Sequence, residues 1–296
     1  FALMVGFPGP HCPYDPSPDF PETFDPDEMP EAIPEAAGDT PVLRQQNIDG
    51  NKRPWNGVDY TEFTDAHKKT IRAHYSGLVK QIDHEVGTII STLRTNGLLD
   101  NTVIIFSTDH ADYLGDHNLI GKASFYESAW RIPMLARLPD GPTRQYSDDL
   151  VELRDVTATM LAAAGVPTPS HMDSQTLPGL GLFGRAPRDR IVGMLSDGWC
   201  IFDGEWKLAK YSTGEMLLFN MRDDPTEQHN LASDPSHADT YRRLDTDLTL
   251  ELMASYRFAM HDRLAQSGDM SQDPAFGREG WRRPYPAPVE FVAGEE

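Results

Sequence analysis

Thr102-Val103-Ile104-Ile105-Phe106-Ser107-Thr108-Asp109-His110 is the segment from which the architecture is most directly read. Its first six residues, Ser107 apart, are apolar or β-branched and do not alternate with polar ones. A strand of that composition is buried on both faces, as in a parallel sheet covered by helices. Upstream, Ile71, Tyr75, Leu78, Ile82, Val86, Ile89 and Leu93 recur at spacings of three and four. They give one apolar stripe along a helix, and Asn96-Gly97 supplies its C-terminal stop. Helix followed by buried strand is one unit of an α/β fold.

Ligands of open α/β sheets lie beyond the carboxyl ends of the strands, where Asp109 and His110 stand. A carboxylate oxygen and an imidazole nitrogen suit a divalent cation, although two ligands do not close a site. The plainer alternative is that Asp109 caps the following segment and His110 is a surface histidine. Lys122 follows the glycine-flanked loop Leu114-Gly115-Asp116-His117-Asn118-Leu119-Ile120-Gly121. It suits an anionic ester oxygen or a leaving group as charge develops, or else it is an ordinary solvated lysine. His11 sits in Gly9-Pro10-His11-Cys12-Pro13, after an apolar run (residues 1–7) that reads as a buried strand. Held on a stiff loop, it is a candidate general acid or leaving-group contact, against the alternative of a solvated loop histidine. Cys12 has no neighbour in sequence that would favour a thiolate.

Residues 8–54, rich in Pro, Asp and Glu, read as a long surface excursion with little regular structure. A strand candidate spans 132–138, and a helix from about 155 to 164 ends at Gly165-Val166-Pro167. Around Pro187 the texture changes to short strand candidates at 191–195, 199–202, 205–211 and 216–220. Asp203-Gly204 and Thr213-Gly214 separate the later ones, the pattern of an antiparallel meander. A last helix carries Tyr241, Leu244, Leu248, Leu252 and Tyr256.

The net charge of −20 argues against nucleic acid or an anionic membrane as partner, since either needs a basic face. A small anionic substrate stays open, because a bound metal ion would dominate the field of a pocket. Two cysteines, Cys12 and Cys200, make neither a disulfide framework nor a Cys-rich zinc site, and they leave cytoplasmic, periplasmic and secreted locations open. No apolar run has the length of a membrane span, and no signal-peptide pattern precedes the first run. That run opens without a Met, so further residues are expected upstream.

Several segments, taken in order, resemble the C-terminal half of the type I sulfatases of the alkaline phosphatase superfamily. Met4-Val5-Gly6-Phe7 into Pro10-His11-Cys12-Pro13 is similar to that family's strand and Pro-His-x-Pro loop. Phe106-Ser107-Thr108-Asp109-His110-Ala111-Asp112, Leu114-Gly115-Asp116-His117 and Gly121-Lys122 form the most specific match, extended by Arg131-Ile132-Pro133-Met134. Trp206-Lys207-Leu208, Leu218-Phe219-Asn220-Met221 and Asp223-Asp224-Pro225-Thr226-Glu227-Gln228-His229-Asn230-Leu231 resemble its small C-terminal antiparallel part. The likeness runs from residue 1 to about 265. Ala111 stands where glycine is common.

The resemblance implies an α/β fold: part of a large alkaline-phosphatase-like sheet covered by helices, with a small C-terminal antiparallel subdomain. Residues 1–186 would belong to the catalytic domain, 187–266 to the subdomain with its helix, and 267–296 to an extended arm. Asp109 and His110 would be metal ligands, Lys122 would bind the ester oxygens, and His11 would contact the sulfate or the leaving group. The implied metal is divalent, Ca2+ first, with Mn2+, Zn2+ and Mg2+ as alternatives. The implied reaction is hydrolysis of sulfate esters; a phosphonate or phosphate mono- or diesterase is the alternative, and a non-catalytic module a third reading. In that family a Cys/Ser-x-Pro-x-Arg motif supplies the formylglycine nucleophile, and no such motif occurs here. The expected partners are therefore a small sulfate- or phosphate-type ester and a missing N-terminal half carrying the nucleophile. The chain alone is expected to be inactive. Trp281 and Tyr285 in the tail suit packing on a second subunit, making a homo-oligomer, or packing on their own domain.

Overall fold

A computed structural model of the chain describes residues 1–18, 20, 24–36, 42–53, 59–139, 141, 146–169, 172–186, 188–195 and 197–265. The expected tail arm lies outside them.

The excursion after the first apolar run holds a 3-10 turn, Pro26–Glu28, and a helix α1, Val42–Asn51, so it is more regular than its composition suggested. The long helix α2, Asp65–Thr95, follows the predicted stripe. Its start is fixed by a capping box, in which His67 N donates to Thr64 Oγ1 and Thr64 N donates to His67 Nδ1. Its end is fixed by Gly97 at φ 65°, which lets Leu98 N reach back to Leu93 O at 2.9 Å.

Strand β1, Ile104–Ser107, pairs antiparallel with β2, Met134–Arg137, in register Ile104↔Arg137 to Ser107↔Met134. This corrects the expectation of a parallel strand buried on both faces: β1 is half-buried, and Phe106 remains exposed. The physical reason is that a continuous apolar run specifies two covered faces but not the direction of its neighbour. Residues 1–7 likewise form no strand, and Phe1, Leu3, Met4 and Val5 face solvent, with Met4 91% exposed. An apolar run becomes a buried strand only where a neighbouring strand accepts its ladder and a layer covers it, and the described residues bring neither.

Between β1 and β2 lie the loop 108–126 and a one-turn helix α3, Glu127–Trp130. Helix α4, Asp155–Ala163, is anchored by Asp155, which is fully buried and accepts from both guanidinium ends of Arg188 at 2.5 and 2.9 Å. The meander forms as expected: β3, Ile191–Leu195, β4, Gly198–Phe202, β5, Trp206–Tyr211, and β6, Met216–Asn220, pair in that order, all antiparallel. Helix α5, Ala238–Ala265, packs Leu244 and Leu248 on Ile201, Leu208 and Leu218 of one sheet face. The other face meets the loop before β2, where Phe125 packs with Cys200, Ala209 and Tyr211. Phe219 of β6 joins the core of Tyr113, Leu119, Ile120 and Tyr126. The small sheet thus forms the floor beneath the 108–126 loop. Among the described residues, no helix is long and apolar enough to cross a membrane.

Candidate active site

Asp109 and His110 leave β1 together. His110 N donates to Asp109 Oδ1 at 3.0 Å, and Asp109 Oδ2 lies 3.4 Å from His110 Nε2. His110 Nδ1 is 2.9 Å from Ala111 O. A carbonyl oxygen only accepts, so Nδ1 is the donor in that contact, and Nε2 is the nitrogen a neutral ring would offer to a metal. A ligating histidine is held in this tautomer, with its second nitrogen donating to a carbonyl. The Asp109 carboxylate is 77% exposed. Slight burial raises its pKa, but neighbouring His110 and the hydrogen bonds it accepts lower it more, leaving it below the usual carboxylate value. Two adjacent donors, one oxygen and one unprotonated nitrogen, fit part of a divalent-metal shell. Among the described residues, no group of three or more His, Cys, Asp or Glu side chains is placed to hold a metal ion, so further ligands would have to join them.

The loop that follows returns on itself through repeated left-handed residues: Leu114 at φ 49°, Gly115 at 95°, His117 at 52°, Asn118 at 55°, Gly121 at 79° and Ala123 at 96°. Gly115 has no room for a side chain, since an added Cβ would lie 2.7 Å from Lys68 Cγ. Asp116 secures the outside of the loop, accepting from Ile33 N at 2.8 Å and Ser128 Oγ at 2.7 Å and pairing with Arg72 of α2. Backbone bonds from Tyr113 N to Gly121 O and from Gly115 N to Leu119 O close it. This brings Gly121, the residue before Lys122, back beside Tyr113.

His11 lies between two cis peptides, Gly9-Pro10 and Cys12-Pro13. Its Nδ1 donates to Cys12 O at 2.7 Å, which leaves Nε2 as the acceptor, and Lys122 Nζ sits 3.2 Å from that atom. The structure therefore joins His11 to Lys122, two residues 111 positions apart, in one contact. Burial, then Asp112, pushes the Cys12 thiol up rather than toward a thiolate. Cys200 is fully buried in the sheet, and its thiol is raised further by burial.

Asp112 and Tyr14 were given no role from sequence. Asp112 Oδ1 accepts from Leu114 N at 3.0 Å and from Gly121 N at 3.1 Å, and Oδ2 accepts from Tyr14 Oη at 2.8 Å. Burial raises this carboxyl above its usual pKa, while the Leu114 N–H, the Tyr14 hydroxyl and the Gly121 N–H oppose the rise. Tyr14 is itself held to α2, where His74 Nδ1 donates to Tyr14 O at 3.0 Å. The spacing of Asp112 after Asp109 was visible in sequence; its partner 98 residues away was not.

The chain matches known proteins over the same region. The family model described as Sulfatase matches residues 1–166. The chain is 28% identical over 271 aligned residues to the multifunctional alkaline phosphatase superfamily protein PehA of Trinickia caryophylli, covering 80% of this chain and 52% of that protein. It is 28% identical over 262 aligned residues to an arylsulfatase of Clostridium perfringens, covering 85% and 53%. It thus spans about half the length of the curated relatives it matches. The solved phosphonate monoester hydrolase of Silicibacter pomeroyi superposes with a TM-score of 0.71 at 23% identity, covering 83% of this chain and 54% of that one. The mixed α/β architecture is thereby the alkaline-phosphatase-like one, as the sequence motifs implied. With the family model covering more than half of its length, the chain belongs to the sulfatase family.

Proposed function

We propose that this chain supplies His11, Asp109, His110 and Lys122 to a metal-dependent sulfuric ester hydrolase. The nucleophile and the remaining metal ligands would come from polypeptide outside these 296 residues. The observation that carries the reading is the Lys122–His11 contact at 3.2 Å, standing one loop away from an Asp-His pair in metal-ready tautomer. A tetrahedral ester with anionic oxygens needs a fixed cation, and Lys122 Nζ is held by an acceptor that a substrate oxygen can replace. His11 Nε2, released from Lys122, would face the ester oxygen that departs; it carries no proton in that contact, and only after taking one up from solvent would it hand it to the leaving oxygen. A divalent metal bound by Asp109 and His110 would add Lewis-acid neutralisation of the ester oxygens. Under the sulfatase reading Ca2+ comes first, with Mn2+, Zn2+ and Mg2+ as alternatives; of these, an imidazole nitrogen suits Zn2+ better than Ca2+. The family's formylglycine is the expected nucleophile.

Three features support the reading that an N-terminal part of the same enzyme carries the nucleophile. The Cys/Ser-x-Pro-x-Arg motif is absent from the 296 residues. Phe1, Leu3 and Met4 face solvent, and an open cleft of about 590 Å³ at the His11 loop is lined by Phe7, Pro8, His11, Leu78, Ile82 and Glu85. Among the described residues, β1 has a single neighbour and one unpaired edge. A second reading, hydrolysis of phosphonate or phosphate esters, follows from the same chemistry, because a lysine ammonium does not distinguish sulfur from phosphorus at the centre of a tetrahedral anion. The relative named as multifunctional favours keeping it.

The test compares aryl sulfate with aryl phosphonate turnover by the enzyme complete with its nucleophile-bearing part, together with metal analysis. Asp109→Ala is expected to abolish turnover and lower metal content. Wild-type activity with unchanged metal in that variant, or robust turnover by the 296 residues alone, would overturn the proposal.

A further inference from the structure

We propose that Asp112 is a positioning residue for the anion site, its one carboxylate setting the spacing between Lys122 and His11. This rests on the reading above, in which that pair meets the ester. The two residues arrive on separate loops, and each loop is held by a different oxygen of the same side chain. Oδ1 takes the N–H of Gly121, the residue immediately before Lys122. Oδ2 takes the hydroxyl of Tyr14, three residues after His11. Oδ1 also takes Leu114 N, which fixes the carboxylate against its own loop and prevents it from following either partner.

The arrangement is stiff at both ends. Tyr14 is tied to α2 through His74 and packs edge-on against Tyr75, with ring centroids 6.3 Å apart. Gly121 is tied by its carbonyl to Tyr113 N at 2.9 Å, next to Asp112 in the chain. A carboxylate with three donors on it is a strong local anchor, because hydrogen bonds to an ionised acceptor are shorter and roughly twice as strong as neutral ones. Asp112 needs no contact with the ester to matter: displacement of a reacting group by about 1 Å can cost about 100-fold in rate.

The experiment uses Tyr14→Phe, Asp112→Asn and Asp112→Ala in the enzyme complete with its nucleophile-bearing part, with amide hydrogen exchange, metal content and aryl sulfate kinetics measured on each. Tyr14→Phe is expected to speed exchange in the 9–15 segment alone. Asp112→Ala is expected to speed it there and at Leu114 and Gly121 together. In kinetics, Asp112→Ala should lower kcat about 100-fold with metal content unchanged. Asp112→Asn should recover most of that, since its amide oxygen still accepts the two backbone N–H groups. Exchange that stays local to residue 112, or kcat equal to wild type in both Asp112→Ala and Tyr14→Phe, would overturn the inference. Titration with inorganic sulfate separates it from the reading on which it rests. Wild-type protein that neither binds sulfate nor turns over ester refutes that reading and the inference with it. Wild-type protein that does both, beside Asp112 variants that match it, refutes the inference alone.

Discussion

Replacing Lys207 with Met tests the idea that the small sheet is fastened to the site loop by buried charge. Lys207 lies on β5, 1% exposed, with Nζ 2.6 Å from Glu227 Oε1 and 2.9 Å from Glu127 Oε1. Glu227 Oε2 also accepts from Glu127 N at 2.8 Å, at the first turn of α3, and Trp130 stacks over the ammonium at 5.5 Å. The two carboxylates keep Lys207 an ammonium despite the burial that opposes its charge. Methionine matches the length of the stem, so the variant removes the charge and leaves little void. The cost is the carboxylate left behind: Glu227 is almost fully buried, and losing one partner of such a pair costs about 3–5 kcal/mol. Burial already pushes the Glu227 carboxyl up to about 7, against the pull of Lys207, and without Lys207 it should go higher. A carboxyl whose folded pKa exceeds its unfolded one contributes stability that is present at low pH and lost as pH rises through the folded value. The deficit of Lys207→Met should therefore be largest at pH 8 and shrink toward pH 5. Urea denaturation followed by tryptophan emission at the two pH values measures it, and Glu227→Gln added to the variant should recover most of the loss at pH 8. A deficit below about 1 kcal/mol at pH 8, or one that does not change with pH, would refute the argument.

Two other perturbations probe the loop itself. His117 is 1% exposed, stacks on Tyr126 with centroids 4.0 Å apart, and has no hydrogen-bond partner on either ring nitrogen among the described residues. Burial lowers its pKa to about 4, so between about 6.5 and 4 the unfolded chain takes up a proton that the folded chain refuses. Stability should fall by about 3 kcal/mol as pH drops through that window, and NMR titration of the His117 ring should show no change above pH 5; a midpoint near 6.5 would refute this. Gly115→Ala places a methyl group against Lys68 at a φ of 95°, and a loss of about 2 kcal/mol in thermal unfolding is expected. A melting temperature equal to that of the unaltered protein would show that the loop can relax around it.

What was legible in the sequence is what short-range chemistry fixes. The stripe from Ile71 to Leu93 needs only its own 3.6-residue period, and Gly97 marks the C-terminal end of α2, while the cap at Thr64 emerged only with the structure. The meander was readable because Gly204 and Gly214, at φ 94° and 90°, turn the chain where Asp203-Gly204 and Thr213-Gly214 stand. Residues 1–7 and β1 failed by the same rule run in reverse. Their composition states how apolar a neighbour must be, and nothing in it states which segment that neighbour is or which way it runs. The contacts that define the candidate site are of this second kind. Tyr14 meets Asp112 across 98 positions, His11 meets Lys122 across 111, and Lys207 reaches Glu127 across 80. No local pattern encodes those pairings; they are consequences of the fold that brings the loops over the small sheet. Under the proposed function, the exposed apolar run at residues 1–5 and the edge of β1 left unpaired among the described residues would both be covered by the polypeptide that brings the nucleophile, so covering them and completing the active site would be one event.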